Sequence, residues 1–137
     1  MQREFKRQIE DLESLFSFVT DFVAGHDIDE QTTFQLNLVV EELFTNLVRH
    51  NTGGGDHILV TLDRNGDQLR VTLKDFEVEP LGSQLPGRVD TRQSLSERKA
   101  GGLGIHLVRN MFNKLSYEYK DRTLVVTALK NLEEKNV

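Results

Sequence analysis

The chain contains no cysteine. That removes disulfides, thiolate nucleophiles and cysteine-held zinc together, and it points to a reducing compartment. Nowhere does the sequence approach the roughly 18 consecutive apolar residues of a membrane span. Its opening, Met1 to Glu10, lacks the apolar stretch of a secretory signal, so the expected location is the cytoplasm and no membrane partner is expected. The four histidines, His26, His50, His57 and His106, have no metal-ligand spacing. No GxxxxGK sequence followed by Ser or Thr is present, which excludes a P-loop enzyme. Basic residues number 17 against 22 acidic ones, a net charge of -5, and they form no run that would track a phosphate backbone. Nucleic acid is therefore not an expected partner. Proline occurs twice, at Pro80 and Pro86, inside a single stretch of chain.

What remains is an ordinary globular balance, 37% apolar and 28% charged over 137 residues. That suits one domain, expected over residues 1–132 with a polar tail at 133–137. From Ile9 the positions Leu12, Leu15, Phe16, Val19, Phe22 and Val23 form a helical stripe that stops at Gly25. A second stripe begins after Asp29 and Glu30, runs through Leu36, Val39, Val40, Leu43 and Leu47 to His50, and is ended by Thr52 and three glycines. Ile58, Val60 and Leu62, then Leu69, Val71 and Leu73, alternate about an Asn65-Gly66 turn, which predicts two antiparallel strands. Asp75 shares the parity of Leu69, Val71 and Leu73, so a period of two puts its carboxylate on the core side.

Residues 76–101 show no clean periodicity. Uninterrupted loops beyond about 12–15 residues are uncommon in compact domains, and this one reads as a lid. A third helix carries Ile105, Val108, Met111, Phe112 and Leu115, and a second hairpin turns at Asp121-Arg122 between Tyr117, Tyr119 and Leu124, Val126, Ala128. With a short strand expected at 3–7, the order predicts an α+β two-layer sandwich, helices on one face of a mainly antiparallel sheet.

Three features carry candidate chemistry. Glu42 and Asn46 are four apart on the second helix and share a face bordering its apolar stripe. A carboxylate and an amide there suit orienting a hydroxyl, a water or a magnesium ion, although an ordinary solvated helix face looks the same. Asp75 needs a donor, which a purine amino group or a structural Lys or Arg would each supply. Gly101, Gly102, Leu103 and Gly104 lead into the third helix, where close backbone approach and unpaired N–H groups suit phosphate. Glycines also simply end loops.

Taken together and in this order, the segments resemble the GHKL ATPase superfamily, which includes histidine kinases, type II topoisomerases and heat-shock chaperones. The stretches EELFTN and GGLGIHLVRNMFNKLSYEY look most like its stand-alone anti-sigma-factor serine kinases, over about residues 2–131. The resemblance implies a Bergerat-type ATP-binding fold, with Glu42 as general base, Asn46 as magnesium ligand and Asp75 as adenine reader. Gly101, Gly102, Leu103 and Gly104 would then approach the phosphates of ATP, with Arg98 and Lys99 adding positive charge. His50 matches a position that often carries histidine, with no chemical role assigned. As partners the likeness implies a small STAS-type antagonist protein and a sigma factor, and it allows a homodimer.

This chain departs from the family's Asp-x-Gly after the second hairpin strand, reading Asp75-Phe76-Glu77. Two added carboxylates, Glu77 and Glu79, then stand near a polyphosphate. A like-charge pair at 4 Å costs about 1 kcal/mol in water and about 4 kcal/mol at an effective dielectric of 20, so the expected loss of affinity runs from tenfold to a thousandfold. A non-catalytic binding module on the same fold is the alternative. A sensor histidine kinase fragment is disfavoured by the lack of a dimerisation helix.

Overall fold

The computed structural model describes residues 1–50, 55–78 and 108–132, apart from the His50 side chain. Five strands, β1 (Gln2–Lys6), β2 (His57–Asn65), β3 (Gln68–Asp75), β4 (Lys114–Lys120) and β5 (Thr123–Asn131), form one antiparallel sheet in the order β1-β2-β3-β5-β4. Two helices, α1 (Leu12–Ala24) and α2 (Glu30–His50), pack on one face. The fold is the α+β sandwich that the hydrophobic pattern implies. Because β5 lies between β3 and β4, the chain leaving β3 must cross over to reach the far edge.

Local signals set the element ends. Asp29 caps α2, its Oδ1 accepting the Thr32 backbone N–H at 2.7 Å, the bond that satisfies an orphan donor of the first turn. The first helix starts later than its apolar stripe suggests. Residues Ile9–Asp11 form a 3-10 turn, and Ile9 is 40% exposed. Asp11 is held by the chain entering from β1, accepting from the Lys6 backbone N–H at 2.8 Å and from Gln8 at 3.0 Å. The first hairpin is shifted by one residue from the sequence reading: Asn65 pairs with Gln68, leaving Gly66 and Asp67 as the loop, with Gly66 at φ +60°. A left-handed first loop residue is what a type II′ connection requires.

Alternation in β2, β3 and β5 drives one face of each into the core: Ile58, Val60, Leu62, then Leu69, Val71, Leu73, then Leu124, Val126, Ala128. Against them lie Leu15, Phe18, Val19 and Phe22 of α1 and Leu36, Val39, Val40, Leu43, Phe44 and Leu47 of α2. Phe18 and Phe44, outside the simple stripes, are fully buried and meet Phe5 of β1 edge to face, with ring centroids 5.6 and 6.4 Å away. That contact fixes the edge strand β1 to both helices, and each fully buried phenyl contributes roughly 1.5–3 kcal/mol. Two arginines, Arg64 in β2 and Arg7 just after β1, complete the C-terminal ends of both helices. Arg64 donates to the His26 carbonyl at 2.6 Å just past α1, and Arg7 to the Leu47 carbonyl at 3.0 Å in the last turn of α2. Both place a cation against otherwise orphan carbonyls.

The segment expected to form a lid begins as fixed chain. Phe76 O accepts from Gly55 N at 2.7 Å and Val78 N donates to Arg122 O at 2.8 Å. The Tyr119 hydroxyl donates to Val78 O at 2.8 Å, and Val78 is 4% exposed. Residues 79–101 lie outside the described residues. Tyr119→Phe is expected to lower the free energy of unfolding by about 1 kcal/mol, the net worth of one hydrogen bond, as read from urea denaturation. Of the third helix, residues 108–111 are described, with Val108 and Phe112 buried against the core. Among the described residues no helix is long and apolar enough to cross a membrane.

Candidate functional site

The C-terminal half of α2 presents the acid and the amide. Glu42 and Asn46 are both half-buried. The Asn46 amide nitrogen donates to the Glu42 backbone carbonyl at 3.0 Å, and the Thr45 hydroxyl reaches the same oxygen at 3.3 Å. With its NH2 turned back along the helix, Asn46 directs its Oδ1 away from that bond. An oxygen so presented is what a hard cation such as magnesium takes. Burial raises the Glu42 pKa, the neighbouring Glu41 raises it further, and Arg49 opposes both. A carboxylate whose proton affinity is raised is better matched to general-base work than a freely solvated one.

Asp75 ends β3 between Ile58 of β2 and Leu124 of β5 and is fully buried, on the side that parity assigns it. Its carboxylate forms an ion pair with Arg7. That arginine is one of the two kinds of donor that the sequence allows for Asp75. Arg7 follows β1, continues the sheet pairing through its N–H to Asp56 O at 2.8 Å, and shares the inward parity of Arg3 and Phe5. Its Nε donates to Gly55 O at 2.6 Å and its Nη1 to Leu47 O at 3.0 Å. One planar guanidinium thus ties together the end of α2, the chain entering β2 and the end of β3. The sequence places Arg7 at the end of the expected strand 3–7 and gives it no role in the site. The available signal was two inward-parity charges of opposite sign at strand ends, which in a low-dielectric core must find partners.

The structure therefore brings Asn46, whose neighbour Leu47 bonds Arg7, to the same end of the sheet as Asp75, with Glu42 one turn earlier on α2. Arg98, Lys99, Gly101, Gly102, Leu103 and Gly104 lie outside the described residues. Glu77 stands at φ +58°. The backbone there keeps the left-handed conformation that glycine adopts freely and an L side chain adopts at a cost of about 1–2 kcal/mol. Its side chain helps line a depression of about 400 Å³ with Glu4, Gly55, Asp56, His57 and Phe76. Asp75 does not line it. Glu77→Gly is expected to raise the unfolding free energy by about 1 kcal/mol through relief of that conformation, measured as a higher urea midpoint at unchanged slope.

A model of the histidine kinase-like ATPase domain matches residues 5–130. No curated protein matches the chain at a significant level. Among solved structures, a chain of the SiaB–SiaC complex from Pseudomonas aeruginosa superposes with a TM-score of 0.71 at 15% identity, over 94% of this chain and 88% of that one. The histidine kinase domain of the Erythrobacter litoralis EL346 blue-light activated histidine kinase gives 0.54 at 18%, over 93% and 62%. The catalytic domain of the histidine kinase ThkA gives 0.53 at 13%, over 96% and 95%. At these identities the solved structures establish the fold, and the family match, extending from Phe5 in β1 to Lys130 in β5, makes this chain a member of the histidine kinase-like ATPase domain family.

Proposed function

We propose that this domain is an ATP-dependent protein serine/threonine kinase of the anti-sigma-factor type, acting on a small STAS-like antagonist protein in partner-switching regulation. The observation that carries the reading is the pair on α2: a carboxylate with raised proton affinity, one turn before an amide whose NH2 is bound back to the helix. In the transfer, Glu42 accepts the proton of the acceptor hydroxyl as its oxygen bonds to the γ-phosphorus of ATP. The bond from that phosphorus to the bridging oxygen breaks, and ADP leaves. Magnesium, when bound, neutralises charge on the phosphates. Asn46 Oδ1 would be its protein ligand, and phosphate oxygens and waters would complete the shell. Asp75 reads the adenine amino group. Arg98, Lys99 and the backbone of Gly101, Gly102, Leu103 and Gly104 attend the phosphates. The SiaB–SiaC structure, a complex containing a chain of this fold, supports a protein partner. A sigma factor, a homodimer and a cytoplasmic site of action belong to the same proposal.

A non-catalytic binding module is favoured by two observations: Asp75 is already paired with Arg7, and Glu77 replaces the family glycine. Calorimetric titration with Mg·ATP, followed by transfer of labelled γ-phosphate to a STAS-domain protein encoded nearby, decides between them. Heat of binding and Glu42-dependent labelling are the expected results. No heat at millimolar nucleotide selects the module.

A further inference from the structure

Asp75 has no accessible surface, and the Arg7 side chain over it is 12% exposed. A carboxylate in that state reads no base until a group moves. What holds it is a guanidinium anchored at two further points, the carbonyls of Gly55 and Leu47. An exocyclic amino group and a guanidinium N–H both donate to the carboxylate, and the guanidinium bond, with charge on both partners, is the stronger.

We propose that Arg7 sets nucleotide affinity and base specificity: it occupies Asp75 in the nucleotide-free protein and must leave it for an adenine base to bind. This rests on the reading of Asp75 as the adenine-binding carboxylate. Two consequences follow from the geometry. The apparent dissociation constant is the intrinsic one divided by the fraction of molecules in which Arg7 has left. And because the same guanidinium bonds Leu47, the residue after Asn46, nucleotide binding is linked to release of the last turn of α2 from β1. Occupancy of the base site is thereby coupled to the end of the helix that carries Glu42 and Asn46.

The test compares wild type and Arg7→Met by calorimetry with Mg·ATP and Mg·ITP, the second base lacking the exocyclic amino group. Arg7→Met is expected to bind ATP about tenfold more tightly or better. The gain should be smaller for ITP and absent in an Asp75→Asn background. An unchanged ATP-to-ITP ratio, or weaker ATP binding by folded Arg7→Met, overturns the proposal. A second measurement needs no variant. The Arg7 Nε–H, donated to Gly55 O, should give a slowly exchanging 15N-resolved resonance in free wild type that disappears or shifts at saturating Mg·ATP. If that resonance stays unmoved while calorimetry registers binding, Arg7 is no competitor and the ATP reading survives alone. No binding to either protein removes the nucleotide reading and this proposal with it.

Discussion

Glu42→Gln is expected to lower phosphotransfer by about 10²–10⁴-fold, the range that a positioned general base supplies, without lowering the melting temperature. The two halves of that expectation share a cause. Burial and Glu41 raise the Glu42 pKa, so the folded protein binds this proton more tightly than the unfolded chain does. The stability Glu42 contributes is then fully present below its unfolded pKa and is lost as pH rises through the raised folded value. At neutral pH the ionised side chain is a burden on the fold, which glutamine lifts while keeping the shape. The variant should therefore melt at the same or a higher temperature than wild type at pH 7, with the difference closing under acid. In wild type the transfer rate should fall as pH drops through the raised pKa, placing the acid limb above the usual glutamate range. A variant that unfolds early, or that transfers phosphate at the wild-type rate, contradicts the role.

Arg7→Met is expected to lower the unfolding free energy of the nucleotide-free protein by about 3–5 kcal/mol, the cost of leaving one member of a buried ion pair without its counter-charge. Arg7→Met combined with Asp75→Leu should recover most of that loss. Leucine at 75 would stand between Ile58 and Leu124, an apolar pair of neighbours, and no charge would remain buried. Urea denaturation of the two single variants and the double completes the cycle. Additive losses would mean that the two charges are not coupled. On those outcomes the pair is costly to break yet dispensable to the fold as a unit, and what it contributes is placement: it fastens the β1 end to the α2 end and covers the carboxylate.

Much of the geometry of this candidate site is legible in the sequence. The i, i+4 relation puts Glu42 and Asn46 on one helix face whatever α2 packs against. Period-two alternation places Asp75 inward, because a strand that buries Leu69, Val71 and Leu73 has no other side for it. Of the segment 76–101 that reads as a lid, residues 76–78 are described, and their anchoring is not visible in the sequence. Val78 looks like loop residue in sequence, yet Tyr119 and Arg122, from a hairpin far along the chain, hold it in place. Phe18 and Phe44 escaped the helical stripes for a similar reason: their burial depends on Phe5 arriving from β1 between α1 and α2.

The local order of the chain by itself determined the α+β alternation of elements and the face on which each charge falls. These follow from periodicities of two and 3.6 residues, and neighbours along the chain set them. Only the tertiary structure decided that Arg7 meets Asp75, because that pairing depends on β1 joining the sheet beside β2 and on α2 ending over the same corner. A buried charge must be matched, but the identity of the match is a property of which strand ends the topology brings together.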